Sequence, residues 1–115
     1  MKEAPVEQRL VDKLTAHGFK VLKLTTPGHN GTPDRLILRP TWSPGPPWVI
    51  ELKAPKKHER RLQELVREEW RARGVLVLDM VDTYEKVDAL VAVLHKRCVE
   101  DANHMKEMKL AALVF

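Results

Sequence analysis

Regular spacing of apolar side chains fixes most of the elements of this chain. Residues 5–17, PVEQRLVDKLTAH, put Leu10, Val11 and Leu14 on one helical stripe, with Pro5 at the first helical position, Glu7 in the first turn and Gly18 as the stop. Phe19 to Leu24 alternates apolar and basic residues, which predicts a half-buried strand. Two more strand-like runs, Arg35 to Arg39 and Trp48 to Lys53, flank a loop holding Pro40, Pro44, Gly45, Pro46 and Pro47, so a hairpin is expected. Leu62, Leu65, Val66 and Trp70 mark the inner face of a helix that Gly74 ends, and Gln63 lies one residue off that face. Val75 to Val81 is a nearly continuous apolar run, the pattern of a central strand covered on both sides. Asp82-Thr83-Tyr84-Glu85 has capping-box spacing ahead of a stripe of Val87, Leu90, Val91 and Leu94. The order helix, strand, strand, strand, helix, strand, helix predicts an α/β sandwich with a mixed β-sheet flanked by helices.

From Cys98 onward the character changes, so the chain divides into a domain over residues 1–97 and a tail over 98–115. Met105, Met108, Ala112 and Phe115 share one helical face; alternatively the last six residues add a strand. An apolar terminus needs cover, from a partner subunit or from its own domain, which makes the tail a candidate dimerisation element. The proline-rich hairpin loop is free to project toward substrate or a partner.

The hairpin also carries the candidate chemistry. In an extended strand Glu51 and Lys53 point one way while Trp48, Ile50 and Leu52 point the other. Asp34 begins the first hairpin strand, and pairing that sets it beside Glu51 presses two like charges together, which is costly without a cation between them. Hard divalent ions favour such oxygens, so Mg²⁺ or Mn²⁺ is expected, with the Leu52 carbonyl as a further ligand. Lys53 then suits polarising a water or stabilising a pentavalent phosphate. His29 lies in the loop just before Asp34 and is either a phosphate or proton-transfer group or an idle loop residue. Lys56, Lys57, Arg60 and Arg61 abut the site and are assigned to phosphate contact, against a solvated surface balanced by Glu59, Glu64, Glu68 and Glu69. Glu7, on the border of its helix stripe, either faces the sheet or is a surface glutamate favoured by the helix dipole. From pattern alone Gln63 is an ordinary exposed helix residue.

Pro33-Asp34 followed by Glu51-Leu52-Lys53 fits the core pattern of the PD-(D/E)XK nuclease superfamily. The wider string of Glu7, Gly-Thr-Pro-Asp at 31–34, Glu-Leu-Lys-Ala-Pro at 51–55, Gln63 and Gly74 before an apolar strand resembles the virus-type replication-repair nuclease (VRR-Nuc) family over residues 5–95. That family includes small stand-alone phage proteins and the nuclease domains of crosslink-repair enzymes. The resemblance implies a restriction-endonuclease-like fold and a Mg²⁺-dependent DNA endonuclease. Asp34 and Glu51 would hold the metal, Glu7 would support it, Lys53 would serve catalysis, and Gln63 would position water or DNA. Since related stand-alone members act on branched DNA, the resemblance further implies a homodimer cutting Holliday-type junctions. The lengthened hairpin loop and the last twenty residues depart from the pattern. Asp34-Arg35 with Gln63 also suits a RecB-like recombination nuclease acting on DNA ends. From another class comes a non-catalytic nucleic-acid-binding protein whose acids are structural.

Composition narrows the setting. The 115 residues suit one domain, 43% of them hydrophobic. Twenty Lys and Arg against sixteen Asp and Glu leave +4, and a pI near 9.4, favouring a polyanionic partner. The single cysteine, Cys98, excludes an internal disulfide and a CxxC metal site, and favours the cytoplasm, that of the host if the chain is phage-encoded. No apolar run follows Met-Lys-Glu at the start, and none approaches the ~18 residues of a membrane span, so neither secretion nor membrane insertion is expected.

Overall fold

The structure, a computed structural model, describes residues 3–24, 34–52, 60–78 and 81–114. Its elements are α1 (Glu3–Ala16), β1 (Lys20–Lys23), β2 (Arg35–Leu38), β3 (Trp48–Ile50), α2 (Arg60–Ala72), β4 (Leu76–Val77) and α3 (Tyr84–Val114). The two expected glycine stops are formed. Gly18 and Gly74 both have φ of +89°, and the next residues fold back, Phe19 N–H to the Leu14 carbonyl and Val75 N–H to the Trp70 carbonyl, each at 3.0 Å. At the start of α3 the cap is Thr83, whose hydroxyl accepts from Lys86 N–H at 3.1 Å; Asp82 instead takes the Lys86 ammonium at 2.9 Å.

The strands form one mixed sheet in the order β1-β2-β3-β4, antiparallel except for the parallel pair β3-β4. The expected hairpin is therefore present, with Ile37 opposite Trp48 and Arg35 opposite Ile50. Val21, Ile37, Trp48, Ile50 and Leu52 turn to one side, where they join Leu10 and Leu14 of α1 and Val87, Val91 and Leu94 of α3 in the core. No α2 residue enters that cluster. As the crossover between parallel strands, α2 covers the opposite face, on which Leu36, Val49 and Val77 lie.

Three expectations are corrected. Among the described residues β4 is an edge strand, with Leu76 exposed, rather than a central one. An apolar run reports burial and says nothing of how many neighbours a strand has. Arg71 covers part of this edge by donating to the Val77 carbonyl at 3.3 Å. On α2 the rotation differs: Leu62 and Leu65 are 41% and 44% exposed, whereas Gln63 is 7% exposed and turned inward with Val66 and Trp70. Gln63, Val66 and Trp70 follow an i, i+3, i+7 row as regular as the leucine row, so periodicity alone could not choose between them.

The hairpin loop, third, does not project but lies on α3. Arg39, with only 6% of its side chain exposed, bonds Asp101 at 2.7 Å, donates to the Pro46 carbonyl at 3.0 Å and sits 4.3 Å above the Trp48 ring. Ser43 donates to the Cys98 carbonyl at 2.6 Å. A side chain at Gly45 would meet the Arg39 guanidinium at 2.8 Å, so any larger residue there must displace Arg39. The Arg39 guanidinium holds the Asp101 carboxyl below its ordinary range. The α1–α3 seam is pinned by Asp88, which takes Arg9 at 2.9 Å and Lys13 at 2.6 Å and is held far below the usual carboxylate range by those bonds. Residue 97/98, the expected domain boundary, falls inside α3, which continues as helix to Val114 with Met105 and Met108 exposed.

Candidate active site

Asp34 stands immediately before β2, and the sheet grips its backbone from both sides. Its N–H donates to the Ile50 carbonyl and its own carbonyl accepts from Leu24 N–H, each at 3.0 Å. Its carboxylate reaches across to β3, where Oδ2 accepts from Leu52 N–H at 2.7 Å. The β2–β3 register pairs Arg35 with Ile50, and Asp34 and Glu51 are the next residues beyond that pair on the two chains. Both side chains thereby belong to the face away from α1 and α3. Glu51 is 3% exposed, and its carbonyl accepts from Val81 N–H at 3.1 Å. The crossover helix brings Gln63 over the same face, where its buried Oε1 accepts no hydrogen bond from the described residues.

Glu7 is brought elsewhere. Its Oε1 accepts from Arg35 Nε at 2.6 Å and also from Arg35 Nη2. Arg35 pairs with Ile50 on the α1 side of the sheet, so this ion pair and the Asp34–Glu51 pair occupy opposite faces. Sequence reasoning gave Arg35 no site role of its own, yet a signal existed: Arg35 and Arg39 share a face with Ile37 by simple alternation, so each needed an acceptor in or beside the core. Leu52 joins the core through its side chain and serves the site through its backbone. Arg61 is exposed, with a 3.6 Å contact to Glu64. His29, Lys53, Lys56 and Lys57 lie outside the described residues, as does the side chain of Arg60. Among the described residues no group of three or more His, Cys, Asp or Glu side chains could hold a metal ion, so a cation here would lean on two carboxylates and on backbone, water or substrate oxygens.

A solved structure titled "VRR_NUC domain" is similar to this chain, with a TM-score of 0.63 and 29% sequence identity, covering 78% of this chain and 94% of that one. In fold and in sequence the chain is similar to a VRR-Nuc domain. Since nearly the whole of the matched domain is covered, the mixed sheet and its flanking helices form the restriction-endonuclease-like α/β fold of a VRR-Nuc nuclease domain. A scan against family sequence models and a search of curated proteins each found no match for this chain. Among its described residues no helix is long and apolar enough to cross a membrane.

Proposed function

We propose that the chain is a Mg²⁺- or Mn²⁺-dependent endonuclease that hydrolyses phosphodiester bonds in branched DNA, of the four-way-junction type, as a homodimer. What supports this reading is the placement of Asp34 and Glu51 just beyond the paired ends of β2 and β3, with the Asp34 carboxylate bonded to Leu52 N–H, in a chain similar to a nuclease domain. The donor set fits a hard divalent ion: two carboxylates, one of them buried, and a buried Gln63 oxygen that accepts no hydrogen bond from the described residues. Asp34, Glu51 and the Leu52 carbonyl would hold the ion. When bound, it lowers the pKa of a water and offsets charge on the scissile phosphate.

The protein's own groups do the rest. The Leu52 N–H fixes the rotamer of Asp34, so this carboxylate arrives oriented. Lys53, two residues after Glu51 in the sequence, would offset charge on the pentavalent phosphate through its ammonium. Gln63 orients the attacking water or the DNA strand through its amide. Lys56, Lys57, Arg60, Arg61 and His29 contact phosphates along the strand and make binding steeply salt-dependent. Two protomers related by a two-fold axis present two sites to two strands, as paired incision of a junction requires.

The test is cleavage of a panel of junctions, flaps and linear ends with Mg²⁺ and with chelator, for the wild type and Lys53→Ala. Junction cleavage that needs the metal, and is lost in Lys53→Ala while folding and DNA binding persist, supports the proposal. Preferential attack on linear ends moves the assignment to a RecB-like nuclease. DNA binding that ignores metal, with no strand cut, makes the chain a non-catalytic binding protein.

A further inference from the structure

We infer that Glu7 is a positioning residue that acts through Arg35, and not a ligand of the cation at Asp34 and Glu51; this rests on the metal-dependent reading above. Strand alternation is the first ground. Asp34 and Glu51 are turned from α1, whereas Arg35 is turned toward it, and Glu7 reaches the sheet from α1. The bonding is the second. A single carboxylate oxygen of Glu7 takes both Nε and Nη2 of Arg35, and both side chains are largely buried, so the attraction is weakly screened.

Local charge is the third ground. Directly across the β1–β2 ladder from Arg35 stands Lys23, a second cation. Withdrawing the Glu7 carboxylate to serve a metal on the far face would leave Lys23 and Arg35 facing each other, an arrangement that destabilises a strand pair. No other acidic side chain among the described residues has an ion pair with either. Glu7 therefore belongs to the sheet's charge balance. Its effect on the reaction passes through the backbone: the pair ties the first residue of β2 to α1, and Asp34 is the residue just before it. Loosening that tie lets the Asp34 carboxylate wander from its Leu52 anchor.

The decisive comparison uses the full chain as wild type, Glu7→Gln, and the exchanged pair Glu7→Arg with Arg35→Glu. Three quantities are read: the melting temperature without metal, Mn²⁺ affinity by calorimetry, and kcat and KM on junction DNA. Glu7→Gln should melt lower without metal and lose about tenfold in kcat, as for loss of a supporting group, with KM nearly unchanged and Mn²⁺ affinity falling only together with that lower melting temperature. The exchanged pair should recover most of the kcat, which a lost ligand could not do. A Glu7→Gln protein that melts like the wild type but binds Mn²⁺ about tenfold more weakly overturns the inference. If the exchanged pair does not fold, the near-isosteric Glu7→Gln protein decides alone. A wild type that binds no Mn²⁺ overturns the metal reading itself and this assignment with it, an outcome distinct from loss in the variant only.

Discussion

The two faces of the sheet are built on opposite rules. Toward α1 and α3 the strands present Val21, Ile37, Trp48 and Ile50 to an apolar core, and two charged side chains there, Arg35 and Arg39, are bonded to carboxylates. Toward α2 they present Glu51 and Asp34, and the helix returns Gln63 with an oxygen that no described group satisfies. One face stabilises the fold, while the other holds polar groups whose burial opposes it. Damage to the first should therefore read out as unfolding, and damage to the second as lost chemistry in a sound protein.

The strongest way to break that contrast is to truncate each side in turn. Ile37→Ala, at a fully buried core position, should cost about 2–5 kcal/mol in urea unfolding. Glu51→Gln should change that stability far less, because the near-isosteric amide keeps the packing, while cleavage falls by about 10²–10³. A large stability loss in Glu51→Gln would place Glu51 among the structural residues. Gln63→Leu is a smaller perturbation. Removing an unsatisfied buried oxygen should raise metal-free stability by about 1 kcal/mol and slow cleavage, measured by denaturation and single-turnover rates.

The smallest effect belongs to pH. Asp88 and Asp101 are held below the ordinary carboxylate value of 3.8, chiefly by hydrogen bonds from Arg9 and from Arg39 respectively. A depressed carboxyl stabilises the fold above its unfolded pKa, and that contribution disappears as pH falls through the folded value. The melting-temperature difference between wild type and Asp88→Asn should thus be constant near neutrality and shrink only below about pH 4. Since the Asp88 side chain is only half-buried, added salt should shrink it too.

Whatever was set by neighbours in sequence was legible in advance. The glycine stops at 18 and 74, the β2–β3 hairpin and the helical stripe of α3 all follow from local geometry and strand period. Contacts made across the fold were not legible. Arg39 and Asp101 lie 62 residues apart, Glu7 and Arg35 lie 28 apart, and no spacing rule joins them. The rotation of α2 was hidden for a different reason: two adjacent rows of its surface are equally regular, and only docking as a crossover selected the one with Gln63. Glu7 shows both effects. Its position near the sheet was foreseeable from the helix stripe, but its acceptor role depended on which way Arg35 faced.

The bonded hairpin loop gives the molecule a mechanical property as well. Ser43 and Arg39 fasten a turn that would otherwise open locally to the middle of a 31-residue helix. Amide hydrogens of β2, β3 and the first half of α3 should then exchange with solvent together, at one rate set by a shared opening. Beyond Ala102 the helix is exposed on every described side chain, and there exchange should follow ordinary fraying and rise steadily toward Val114.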